Sequence, residues 1–189
     1  MSVVAHELSH GYAADFLGDP TARLAGRLTP NPIKHLEPFG SFILPMMSYF
    51  LGGFIFGWAK PVPYNPYNLK TKLAETFVAA AGIITNLALA LIFGLLIRFF
   101  GGTLPESFVT IATAIVFINL ILAVFNAIPV PPLDGSKVLF SILPFRFHRL
   151  ERILEQWGLF VLIFFVIFLW QYIFPVIAYL FQLIVGVSI

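Results

Sequence analysis

Residues 73–100 read LAETFVAAAGIITNLALALIFGLLIRFF, and this stretch decides the class of fold. Its charged residues are Glu75 near the start and Arg98 near the end. A helix rises 1.5 Å per residue, so about 20 apolar residues cross the ~30 Å hydrocarbon core of a bilayer. Residues 106–128 form a second apolar stretch of the same kind. Both stretches therefore predict membrane-spanning helices.

The composition of the whole chain agrees with this prediction. Of its 189 residues, 59% are hydrophobic and 11% are charged, and the mean hydropathy is +0.93. Soluble domains carry about 25% charged residues. We predict one all-α, polytopic membrane bundle over residues 1–189, with about four to six apolar helical segments. The absence of cysteine excludes thiolate metal sites, and no basic tract indicates a nucleic-acid partner.

A short polar motif lies within the first predicted helix, which runs from about Ser2 to Leu17. Residues 6–10 read His-Glu-Leu-Ser-His, which is an HExxH pattern. Side chains at i and i+4 share a helix face, so His6 and His10 can reach one Zn²⁺ ion. Glu7 between them can act as a general base on water. Ionisable groups are costly in a membrane, so we expect this cluster to be functional.

The topology depends on residues 40–59, which are apolar but contain Gly52-Gly53, a pair that suits a turn. If this segment re-enters the membrane rather than crossing it, every Lys and Arg except Arg98 lies on one side. The positive-inside tendency favours that arrangement. Residues 157–189 are interrupted by Pro175, so they form either one kinked helix or a hairpin of two. The first helix needs roughly 10–20 apolar residues upstream if it spans.

Catalytic zinc takes three protein ligands, so the motif needs a third residue. Asp134 stands out among the few acids near apolar spans, because three Pro and Gly135 fix the backbone of residues 126–135. His10 lies near the end of the first helix, and Asp134 lies just beyond the 106–128 span. The two residues face the same side of the membrane only if residues 40–59 re-enter. The predicted metal geometry and the charge distribution thus favour the same topology.

Four parts of the chain, in this order, resemble the site-2 protease family, whose members are intramembrane zinc metalloproteases. They are residues 6–11 (HELSHG), 18–22 (GDPTA), Ala81-Gly82 with Asn86, and 126–135 (NAIPVPPLDG). The resemblance covers about residues 2–140, the expected catalytic core, and points to the compact prokaryotic branch. Family members commonly have Pro at the position of Ile83.

The resemblance implies a Zn²⁺ cofactor bound by His6, His10 and Asp134, with Glu7 activating water. It also implies cleavage within or near the transmembrane segment of a membrane-protein substrate, by a multi-pass enzyme in a prokaryotic inner membrane. The alternative is a catalytically inactive adaptor of the same fold that binds transmembrane helices. The substrate and the oligomeric state stay open.

Four further expectations concern single features. Asn86 either bonds a neighbouring helix or contacts the substrate backbone or its oxyanion. Residues 60–68 can pair as an edge strand with an unwound substrate, although their prolines limit the available donors. His35 lies among charged loop residues and is expected to be solvated. Asp19 is expected to serve a helix end and turn.

Overall fold

The computed structural model describes residues 1–52, 57, 59–144 and 147–187. All regular structure in these residues is helical, which confirms the all-α prediction. The helices are α1 (Ser2–Phe16), α2 (Thr21–Leu24), α3 (Leu44–Gly52), α4 (Lys72–Phe100), α5 (Glu106–Asn126), α6 (Asp134–Ile142), α7 (His148–Gln156) and α8 (Gly158–Val185). Short 3₁₀ turns cover Pro32–His35 and Pro66–Asn68, and a π-helical turn over Phe39–Ile43 leads into α3.

Helix α4 lies at the centre and contacts α1, α5, α6 and α8. It begins at Lys72 because the side chain of Thr71 accepts a hydrogen bond from the backbone N–H of Ala74 at 3.2 Å. Small buried residues along α4, such as Ala79 and Ala90, let the neighbouring helices approach closely. The main apolar core joins α4 to α5 and α8 and consists of Ala90, Val116, Leu120, Ile173, Ile177, Phe181 and Val185.

The outer surface of this bundle is apolar. Phe77 and Phe99 on α4 are 63% and 70% exposed, and Ile111 on α5 is 62% exposed. Such a surface suits lipid better than water. In the described part of the chain, two helices are long and apolar enough to cross a membrane, Leu73–Phe100 and Glu106–Asn126. The total of four to six apolar segments stays a prediction.

Helix α8 runs without a break through Pro175, so residues 158–185 form one helix rather than a hairpin. The described ends of the segment around residues 40–57 lie close together. Gly57 lies against Gly40 and Pro45, and the N–H of Lys60 donates to the carbonyl of His35 at 2.8 Å. The two ends of the segment therefore meet, as a re-entrant segment requires. The predicted turn at Gly52-Gly53 lies partly outside the described residues.

His35 is buried, so the expectation of a solvated side chain was wrong. The residue is 1% exposed, and its Nε2 donates to the carbonyl of Thr29 at 2.9 Å. The sequence could not show that the chain at Lys60 returns beside His35, which removes that region from solvent.

Candidate metal centre

Helices α1 and α6 bring three ligand-type side chains together. His6 and His10 are 6% and 8% exposed, and their Nε2 atoms lie 3.1 Å apart. The Oδ2 atom of Asp134, at the first position of α6, lies 3.0 Å from Nε2 of His6 and 3.2 Å from Nε2 of His10. The predicted set of His6, His10 and Asp134 thus converges on one point.

The triangle of donor atoms fits a tetrahedral zinc ion. Zinc bonds of 2.0–2.1 Å place tetrahedral ligand atoms about 3.3 Å apart, close to the distances between Nε2, Nε2 and Oδ2. Oδ2 of Asp134 is buried and has no hydrogen-bond partner among the described residues. A buried carboxylate oxygen without a partner is costly. A cation held at the centre of the triangle satisfies this oxygen and both imidazole lone pairs.

The backbone of α4 fixes the tautomer of His10. Nδ1 of His10 lies 2.7 Å from the carbonyl oxygen of Val78. A carbonyl only accepts, so Nδ1 carries the proton and Nε2 keeps a lone pair for the metal. This partner belongs to the main chain, so its position depends on where α4 lies rather than on the identity of residue 78.

Asn86 plays the same part for His6. Its Nδ2 lies 3.2 Å from Nδ1 of His6, while its own Oδ1 is buried without a partner in the described part of the chain. Rotating the amide by 180° lets Oδ1 accept from Nδ1–H and leaves Nε2 of His6 free to bind metal. We assign the rotated amide on that ground. The predicted contact of Asn86 with a neighbouring helix is therefore its contact with His6 of α1. A contact of Asn86 with substrate stays a prediction.

Gly82 makes room for both imidazole rings on the surface of α4. A Cβ at this position would lie 2.5 Å from Cε1 of His6 and 2.6 Å from Nε2 of His10. Real Cβ atoms do not approach heavy atoms this closely. Of the Ala81-Gly82 pair noted in the sequence, Gly82 is thus a steric requirement of the centre.

Glu7 extends from the same helix as the two histidines but is held by a different part of the chain. Its Oε2 accepts a 2.8 Å hydrogen bond from the backbone N–H of Val62. Val62 belongs to what we call the proline segment, residues 60–66 (KPVPYNP). The sequence did not indicate this contact, which joins residues 55 positions apart.

The proline segment is extended and has few free donors. Lys60 donates to His35, Val62 to Glu7 and Asn65 to Asp19, while Pro61, Pro63 and Pro66 have no N–H. Within the described residues, the N–H of Tyr64 is the one backbone N–H of the segment without a partner. Pairing of residues 60–68 with substrate as an edge strand stays a prediction, and this inventory limits it to few donors.

Lys137 and Tyr64 lie at the boundary between the proline segment and α6. The ammonium of Lys137 lies 5.1 Å from the ring centroid of Tyr64, a cation–π contact. Lys137 follows the candidate ligand Asp134 by three residues, so the two share one face of α6. A positive charge therefore lies close to the centre, which the sequence analysis missed.

Asp19 anchors the far end of the proline segment. Burial of its carboxyl disfavours the charge, but hydrogen bonds from Thr21, Asn68 and Asn65 outweigh burial and hold the pKa of Asp19 below its ordinary value. The expected role at a helix end and turn is correct as far as Thr21 is concerned. The bonds from Asn65 and Asn68 add a long-range contact.

Comparisons with known proteins identify the family of this chain. The sequence model of peptidase family M50 matches residues 1–113 and 97–169. "Putative zinc metalloprotease YwhC" of Bacillus subtilis is 34% identical over 187 residues, which cover 95% of this chain and 80% of that protein. "Putative zinc metalloprotease Rip2" of Mycolicibacterium smegmatis is 30% identical over 163 residues, which cover 86% of this chain and 62% of that protein. No solved structure matches significantly.

The family match spans most of the chain and includes both the histidine motif and Asp134. It confirms the resemblance seen in the sequence. The chain belongs to peptidase family M50.

Proposed function

We propose that this protein is an intramembrane zinc metalloprotease that hydrolyses a peptide bond within or near the transmembrane segment of a membrane protein. One observation carries the proposal: Nε2 of His6, Nε2 of His10 and Oδ2 of Asp134 converge within 3.2 Å, beside a glutamate of the same helix. The apolar outer surface of α4 and α5 supports placing this site in a bilayer, and the bacterial origin of both relatives supports a prokaryotic protein. We place it in the inner membrane as a multi-pass protein.

The donor set of two imidazoles and one carboxylate suits Zn²⁺. A bound Zn²⁺ ion supplies Lewis-acid polarisation of the scissile carbonyl and of the attacking water. Glu7 removes the proton from that water and then delivers it to the nitrogen of the leaving amine. The Val62 N–H orients the Glu7 carboxylate for this transfer by occupying Oε2.

The substrate must offer an unwound peptide bond. A transmembrane helix hides its carbonyls in hydrogen bonds to the following turn, so attack requires local unwinding. The chain contributes an extended neighbour, the proline segment, whose Tyr64 side chain lies beside Lys137 of α6. Unwound substrate can bind there, and replacing Pro61 and Pro63 with Ala tests that contact through KM.

Two measurements on detergent-purified protein test the proposal. Elemental analysis is expected to find about one zinc per wild-type chain and much less in Asp134→Ala. A single-span test protein with a fluorophore and a quencher on either side of its transmembrane helix is expected to be cut by the wild type. Glu7→Gln should keep its zinc and lose at least about 100-fold in rate.

The results separate the two candidate functions. Zinc binding without cleavage, in wild type and Glu7→Gln alike, would identify the inactive adaptor of the same fold. A folded wild type without zinc would overturn the protease assignment itself.

A further inference from the structure

The carboxylate of Asp19 lies outside the metal centre, yet it is fully buried and accepts four hydrogen bonds. Its Oδ1 accepts from the N–H of Thr21 at 3.2 Å, from the hydroxyl of Thr21 and from Nδ2 of Asn68 at 2.8 Å. Its Oδ2 accepts from the backbone N–H of Asn65 at 2.6 Å. Nothing in the hydrolytic chemistry uses this group.

A turn residue needs only part of this network. An aspartate that forms a turn bonds its own backbone two residues on, as Asp19 does with Thr21. The bonds from Asn65 and Asn68 span 46 and 49 residues. They join the end of α1 to the proline segment, which a turn does not require.

The same two pieces of chain meet a second time at the general base. Asp19 donates its own N–H to the carbonyl of Ala14, seven residues after Glu7, or about 10 Å along the helix. Asn65 follows Val62 by three extended residues, again about 10 Å. The helix and the segment therefore run side by side over matched lengths. The hydrogen bonds Glu7–Val62 and Asp19–Asn65 join the two pieces of chain at the two ends of this stretch.

Prolines restrict the segment at both contacts, because Val62 precedes Pro63 and Asn65 precedes Pro66. Pro61 and Pro63 on either side of Val62 fix their backbone φ angles and restrict the residues before them. Val62 is 5% exposed and sits over Gly11, where a Cβ would lie 2.8 Å from its Cγ1. A displacement at Asn65 is therefore expected to move the Val62 N–H three residues away.

We propose that Asp19 is a positioning residue for the general base. By holding the N–H of Asn65, it sets the position of the Val62 N–H and through it the orientation of the Glu7 carboxylate. This inference rests on the proposed protease function.

Asp19→Asn tests the proposal with little change in size. The amide has one acceptor oxygen where the carboxylate has two, and its NH₂ group faces donors, so the bonds from Asn65 and Asn68 cannot all persist. The matched control is Thr21→Val, which removes only a local bond to Asp19 and leaves both long-range bonds. Asn68→Ala removes one long-range bond and serves if Asp19→Asn does not fold.

Three readouts are compared with wild type: zinc per chain, kcat and KM on the single-span test protein, and hydrogen–deuterium exchange of the peptide covering residues 60–69. In Asp19→Asn we expect unchanged zinc and KM, faster exchange in that peptide, and a kcat about 10–100-fold lower. Asn68→Ala should show the same pattern with a smaller change, and Thr21→Val should match the wild type.

Each other outcome overturns the inference. Faster exchange with an unchanged kcat would leave Asp19 as a structural turn residue. Unchanged exchange would show that Asp19 does not hold the segment, and a rise in KM alone would assign the segment to substrate binding. Failure of the proposed function is recognised separately, because the wild type would then cut nothing while Glu7→Gln behaved identically.

Discussion

The metal centre and the proline segment meet at Glu7 but are held by different means. The three candidate ligands, His6, His10 and Asp134, lie on helices α1 and α6 against α4 at Gly82, and the two histidines are four residues apart. The proline segment from residue 60 to 65 has no regular secondary structure and depends on hydrogen bonds to Glu7, Asp19 and His35. The metal centre is therefore specified by helix geometry, whereas the proline segment is specified by individual long-range hydrogen bonds.

The largest effect is expected from closing the space on α4. Gly82→Ala places a Cβ within 2.6 Å of both imidazole rings, so the histidines can no longer share one ion. We expect zinc content to fall to near zero, measured by elemental analysis, with cleavage lost. Gly102→Ala is the control, because a Cβ there meets nothing within 4 Å. Full zinc in Gly82→Ala would show that the centre is looser than helix geometry implies.

A smaller effect at the same centre is expected from Asn86→Ala. Loss of the partner of His6 Nδ1 frees the ring to rotate and removes the bond that selects its tautomer. Outer partners of this kind typically contribute about 10–100-fold to metal affinity, so we expect a loss in that range, measured by competition with a zinc chelator. Asn119→Ala is the matched control, since this buried asparagine of α5 bonds Ser2 at 2.9 Å instead. Equal affinities in both variants would remove the assigned role of Asn86.

Gly11→Ala on α1 tests whether the proline segment can be displaced without loss of the metal centre. The added Cβ would lie 2.8 Å from Cγ1 of Val62 and 2.6 Å from Cδ2 of Leu28, so we expect these side chains, and the segment with Val62, to shift away from α1. We expect about a 10-fold drop in kcat with zinc retained, because Glu7 loses its aligned N–H while the ligands stay. Loss of zinc instead would show that the segment and the centre are not separable.

The smallest effect is a pH dependence of stability. The pKa of Asp19 is lower in the folded protein than in the unfolded chain, so its charge stabilises the fold above the unfolded pKa of about 3.9 and loses this effect as the pH falls through the folded value. The difference in melting temperature between wild type and Asp19→Asn should be full at about pH 6 and shrink below about pH 4. A difference that does not change with pH would show that shape rather than charge matters at Asp19.

Much of the fold followed from sequence patterns. The predicted spans 73–100 and 106–128 correspond to α4 and α5, and the first helix ends within one residue of its predicted end at Leu17. These helix predictions are confirmed because helix length and hydrophobicity depend on residues that are neighbours in the sequence. The burial of His35 was missed, since it depends on a chain return 25 residues later at Lys60.

The candidate site divides in the same way. The convergence of His6, His10 and Asp134 was predicted from motif spacing and scarce acids, and the structure brings these side chains together. Their roles as ligands, and that of Glu7 as the base, stay predictions. The contacts of Glu7 with Val62, of Asn86 with His6 and of Asp19 with Asn65 were not predicted. Two of these three use a backbone N–H, and a backbone donor carries no residue-specific signal in a sequence.

Periodicity, composition and i, i+4 spacing are properties of neighbouring residues, so the sequence alone predicted a helical membrane protein with a cluster of histidine, glutamate and aspartate. Only the tertiary structure decided which groups orient those residues. The Val78 carbonyl, the space over Gly82 and the Val62 N–H act through position alone. Their positions exist only once α1, α4 and the proline segment lie against one another.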